Sequence, residues 1–104
     1  MTIQEGWTLQ VTGVVLRVDR QNLDKSGRNP KYMVRIQLNV EDFDDAGAGL
    51  ELESPVRMQA WEKDIVGYLG RSLEVGDRIV ARSFSLEKRP YILRIEHAEF
   101  AEPK

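Results

Sequence analysis

Hydrophobic and polar residues alternate along much of this chain with a period of two. The clearest run is residues 31–40, where Tyr32, Val34, Ile36, Leu38 and Val40 share one face. Met33, Arg35, Gln37 and Asn39 share the other. Such alternation predicts a half-buried strand. Residues 55–61 repeat it, with Val56, Met58 and Ala60 against Arg57, Gln59 and Trp61. Residues 8–19 are rich in Val, Leu and Thr, which favour a pleated strand. Gly13 inside that stretch predicts a bulge or a sharp bend. At residues 62–69 the period changes. Ile65 and Leu69 stand four apart with Val66 beside them, which predicts a short helix, and Gly70 supplies its stop.

The connections are polar and carry turn formers. Residues 20–30, RQNLDKSGRNP, predict a basic loop, and residues 41–53 an acidic loop around AGAG. Residues 73–86 open on the turn EVGD and continue as a fourth strand. Residues 85–90 form a tight basic connection to a last strand at 90–100, with Tyr91, Leu93 and Ile95 on one face. The order is three strands, a short helix and two strands within one domain spanning residues 1–104. Glycine-bent strands in that order predict an all-β fold, a five-stranded Greek-key OB-fold barrel with its helix between strands three and four. A small sandwich is the competing all-β architecture. An open α+β sheet fits less well, because only one short helix is visible.

Composition removes several chemistries. The 104 residues include no cysteine, so disulfides, thiolate metal sites and cysteine nucleophiles are excluded. His97 is the one histidine, and a structural role fits it better than metal ligation. Apolar residues at 41% and charged residues at 31% suit a folded soluble domain. No basic n-region with an apolar h-region opens the chain, and no apolar run reaches the roughly 20 residues of a membrane span. A cytoplasmic location is expected, with no membrane partner. No phosphate-binding loop, nucleophile elbow or metalloprotease motif occurs. The expectation is no enzyme, no cofactor and no metal; the acidic run from Glu41 to Asp45 lacks the spaced ligands of a calcium loop.

Charge is more informative in its distribution than in its sum. Fifteen basic and 17 acidic residues leave −2 overall. Residues 17–35 and 78–94 each carry +4, whereas residues 41–53 carry −6. Local fields decide what a surface attracts. Aromatic residues sharpen the picture. Trp61 falls on the polar face of its strand with Arg57 and Gln59, where an indole leaves a large apolar area wet unless something covers it. Phe43 lies in the acidic segment and Phe84 follows Arg82 at the end of the fourth strand. Bases stack on such rings at about 1–3 kcal/mol each without reading sequence. Arginines nearby would supply the phosphate contacts. The bland alternatives are a subunit interface or a core position for Trp61, and local anchoring for Phe43 and Phe84. Trp7 suits a barrel plug or a dimer contact.

Residues 56–84, VRMQAWEKDIVGYLGRSLEVGDRIVARSF, resemble the N-terminal OB domain of the bacterial single-stranded DNA-binding protein family. The resemblance extends loosely over residues 8–100 and includes short phage, plasmid and replication-restart members. It implies base stacking at Trp61, Phe84 and Phe43. It also implies an arginine on the DNA path at Arg57 and another at Arg82. The strand and loop cations Arg35, Lys88 and Arg89 complete the expected phosphate contacts. The implied function is sequence-independent binding of single-stranded DNA, or of RNA, in replication, recombination or repair. The implied partners are a second copy, as a homodimer or homotetramer, and replication or repair proteins. Two departures stand out: Glu53, Ser54 and Pro55 occupy the place of a fourth aromatic, and the acidic segment repels phosphates. The acidic segment and the net charge of −2 favour an alternative, an OB-fold adaptor or oligomerisation module in a larger assembly.

Overall fold

In the computed structural model, residues 9–24, 26–45, 54–83 and 93–101 are described. Two long strands form the frame. β1 spans Leu9–Asn22 and β2 spans Tyr32–Asp44, paired antiparallel. Their register slips twice. Thr12 faces Asp42 and Gly13 faces Val40, which leaves Glu41 as an extra residue on β2. Val15 faces Leu38 and Arg17 faces Gln37, which leaves Leu16 as an extra residue on β1. Each bulge bends and twists its strand locally. Gly13 is required at the first one. A Cβ built there would lie 2.2 Å from the Asn39 carbonyl oxygen, so only glycine lets the two backbones approach.

β3, Val56–Trp61, pairs antiparallel with β2, and α1, Glu62–Leu69, follows without a loop. Gly70 ends α1 in the left-handed region at φ 82°, and its N–H donates to the Val66 carbonyl. β4, Arg78–Ser83, pairs antiparallel with the first half of β1. β5, Leu93–Arg94, runs parallel to β3, and β6, His97–Phe100, runs antiparallel to β4. The strand order is β5-β3-β2-β1-β4-β6 in a single mixed sheet. That sheet curls strongly into a half-barrel, so the fold is mostly β with one short helix. One curled sheet takes the place of the two stacked layers that a sandwich needs.

The inner face carries the core. Leu9, Val11, Val15, Val34, Ile36, Leu38, Met58 and Ile79 are buried together, and α1 adds Ile65. α1 leans on β6 through Tyr68 and His97, whose ring centroids are 5.3 Å apart. No helix among the described residues is long and apolar enough to cross a membrane.

Three expectations need correcting. Residues 41–44 continue β2 and are not loop, because the bulge at Glu41 absorbs one residue and lets pairing resume. The final strand is two short strands interrupted at Ile95 and Glu96, where the chain leaves β3 for β4. Ile95 N–H still donates to the Gln59 carbonyl, and Glu96 N–H to the Arg82 carbonyl. Tyr32 has the parity of the core face, yet it is 41% exposed, because β2 begins there, at the margin of the buried core.

Candidate functional site

The outer face of β1, β2 and β3 is polar and cationic, and the pairing registers fix its layout. Arg17, Gln37 and Arg57 form one row across the strands. Asp19, Arg35 and Gln59 form the next, and Gln21, Met33 and Trp61 the third. Adjacent strands lie about 4.8 Å apart, so each row is compact. Arg35 Nε donates to Gln59 Oε1 at 3.4 Å, a long contact that leaves the guanidinium largely uncommitted. Arg17 Nε pairs with Asp19 Oδ2 at 2.9 Å, but both side chains are well exposed, so the pair is weak. Arg57 is exposed and has no hydrogen bond or ion pair among the described residues. Arg17, Arg35 and Arg57 together border a shallow depression of about 280 Å³.

Trp61 ends β3 and has the extended backbone of a helix N-cap, φ −65° and ψ 137°. The chain turns into α1 immediately after it, which opens a groove between α1 and the strand entry at residues 30–32. This groove holds about 610 Å³, and its walls include Tyr32, Trp61, Lys63, Asp64 and Val66. A smaller hollow of about 240 Å³ lies against Met33, Gln59, Asp64 and Arg94 and is also bordered by Trp61. The indole is half-buried and stands outside the core cluster. Asp64 reaches both cavities and has no hydrogen bond or ion pair among the described residues. Glu62, its neighbour on the first turn, is paired with Arg20 at 3.2 Å.

The connection before Tyr32 is held by its own side chains. Asn22 Oδ1 accepts from the Asp24 N–H at 2.9 Å and the Lys31 N–H at 3.2 Å. The Asp24 carboxylate accepts from Ser26 Oγ at 2.7 Å, the Ser26 N–H at 2.9 Å and the Asn29 N–H at 2.7 Å. These bonds, the Ser26 hydroxyl foremost, hold the Asp24 carboxyl below the usual carboxylate range. Asn and Asp side chains commonly organise turns in this way.

Of the expected site residues, Trp61, Arg35 and Arg57 share one face of the sheet. Phe43 does not join them. It is exposed at the far end of β2, opposite Val11, a strand length of roughly 33 Å from Met33. The Glu41 bulge also turns it to the side of the buried Val11. Arg82 is only 4% exposed. Its Nε donates to Gln10 Oε1 at 2.8 Å and its Nη2 to Glu99 Oε1 at 2.9 Å, so this guanidinium is committed to the fold. Phe84, Lys88 and Arg89 lie outside the described residues, as does Trp7. Tyr32, Lys63, Asp64 and Arg94 also stand beside Trp61, and the sequence pattern does not mark them as site residues. Its place as the first residue of the alternating run, where a strand meets solvent, is the one sign Tyr32 gives. Among the described residues, no cluster of His, Asp or Glu is arranged to hold a metal. No protein-family profile, no curated protein and no solved structure matches this chain.

Proposed function

We propose that this protein binds single-stranded nucleic acid on the outer face of β1–β2–β3, by stacking on Trp61 and by phosphate contacts from arginines. The observation that carries this reading is one juxtaposition: a half-buried indole bordering an open groove, on the same strand face as the uncommitted Arg35 and Arg57 guanidinium groups. Tyr32 offers a second ring at the groove, and Arg94 and Lys63 add charge beside Trp61. Backbone neutralisation and stacking together suffice for sequence-tolerant capture of a single strand. Sites of this kind serve DNA replication, recombination and repair, and DNA is the substrate proposed first, with RNA second.

The same reading treats β5 and β6 as one interrupted strand. Its parallel pairing with β3 and antiparallel pairing with β4 would then join the ends of the sheet into a five-stranded OB barrel. This supports the resemblance to the bacterial single-stranded DNA-binding family. Assembly into a homodimer or homotetramer belongs to that resemblance, and light scattering tests it.

The deciding experiment is a tryptophan-fluorescence titration with a short oligothymidine at two salt concentrations. Quenching that weakens with salt supports the proposal. If about four phosphates are neutralised, log affinity falls against log salt with a slope near −2.8. The exposed Asp42 and Phe43 at the far end of β2 favour a second reading, an adaptor that meets a protein partner. No fluorescence response at micromolar protein in low salt supports the adaptor.

A further inference from the structure

Asp64 is a carboxylate where a phosphate-binding surface should not have one. It borders the groove and the hollow beside Trp61, and no cation among the described residues neutralises it. Glu62 shares the first helical turn but is held by Arg20, so among the described residues Asp64 is the carboxylate left unengaged beside the ring. We infer that Asp64 reads the edge of the base stacked on Trp61 and gives this position a preference for guanine. The inference rests on the single-strand reading above and adds a base preference to it.

Donors and acceptors set the preference. An ionised carboxylate only accepts hydrogen bonds, through two oxygens. Guanine presents N1–H and the N2 amino group side by side, which matches both oxygens at once. Thymine and uracil present one N–H between two carbonyl oxygens, so a carboxylate facing that edge gains one bond and meets two repulsive neighbours. Adenine and cytosine each offer one amino group beside an acceptor nitrogen and fall between. Charge-assisted bidentate pairs are both stronger and more directional than neutral bonds. Lys63 borders the same groove and can take the adjoining phosphate. The groove of about 610 Å³ falls within the range of small-molecule sites and accommodates a purine nucleotide.

The test uses the whole chain and four oligonucleotides of equal length: all thymidine, and the same strand with a single central dG, hypoxanthine or adenine nucleotide. Hypoxanthine keeps the purine stack and lacks only the N2 amino group. The dG strand should bind roughly tenfold tighter than the all-thymidine strand and several-fold tighter than the hypoxanthine strand. Asp64→Asn should bring the dG, hypoxanthine and adenine strands within about twofold of one another, with all-thymidine affinity retained or slightly raised. Equal affinities for dG and hypoxanthine in the unaltered protein, or an intact dG preference in Asp64→Asn, overturn the guanine inference and leave single-strand binding standing. No binding of any strand overturns both.

Discussion

Arg71 and Asp77 form a two-pronged pair, with Nη1 to Oδ2 at 2.9 Å and Nη2 to Oδ1 at 2.8 Å. The same guanidinium lies over the Phe100 ring, 4.6 Å from its centroid. Asp77 also accepts the Glu74 N–H at 2.8 Å. Its neighbour Gly76, at φ 95°, donates its N–H to the Val15 carbonyl. The Asp77 carboxylate thus braces the turn before β4, while the Gly76 backbone joins that turn to β1 and Arg71 reaches from it to β6.

The Arg71 bond, followed by the Glu74 N–H, holds the Asp77 carboxyl below its ordinary value of 3.8. A carboxyl lowered in the folded state stabilises above its unfolded value, and that stability is lost as pH falls through the folded value. Urea midpoints measured from pH 7 downward should therefore drop below about pH 4. Asp77→Asn should lose about 1–2 kcal/mol at neutral pH and show a shallower acid limb. An acid limb identical to that of the unaltered protein would assign the acid sensitivity to other carboxylates.

Trp61→Ala should weaken oligothymidine binding by about 1–3 kcal/mol, because one stacking surface is removed. The salt slope should stay unchanged, since no phosphate contact is lost. Titration at several salt concentrations reads both quantities. Unchanged affinity would remove the indole from the interface.

Arg57 and Arg82 separate binding from folding. Arg57→Ala should flatten the salt slope by about 0.7 and leave the urea midpoint in place. Arg82→Ala should instead cost about 1–3 kcal/mol of stability, because it removes the buried hydrogen bond to Gln10 Oε1 and the ion pair with Glu99. Side-by-side titration and unfolding of the two variants checks the distinction.

Gly13→Ala places a methyl group against the Asn39 carbonyl and the Leu38 side chain. The strands cannot separate there without loss of the ladder. Destabilisation of about 1–3 kcal/mol is expected, read as a lower urea midpoint at constant slope.

Some of this architecture is legible in the pattern of residues, and the illegible parts have physical reasons. β3 and α1 are readable because Val56, Met58 and Ala60 alternate strictly and Gly70 terminates the helix. Gly13 signals its bulge because two backbones converge on it. Glu41 and Leu16 give no such sign: each is the extra residue of a bulge, and neither is a glycine. Phe43 is therefore read as part of an acidic loop, although it lies within β2. Arg82 is misread for another reason. A charged residue in a strand suggests solvent, and only folding brings Gln10 and Glu99, far apart in the chain, to its guanidinium. The acid at the indole escapes notice because a carboxylate in a first helical turn is favourable near any helix start.

The side-chain bonds of Asn22 and Asp24 have a kinetic corollary. On the proposed single-strand reading, Lys31 and Tyr32 border the groove on a connection already braced by these bonds, so capture there would order little of the protein. The conformational entropy surrendered on capture falls mainly on the ligand. Association should then be set by diffusional encounter, and oligonucleotides should differ chiefly in residence time.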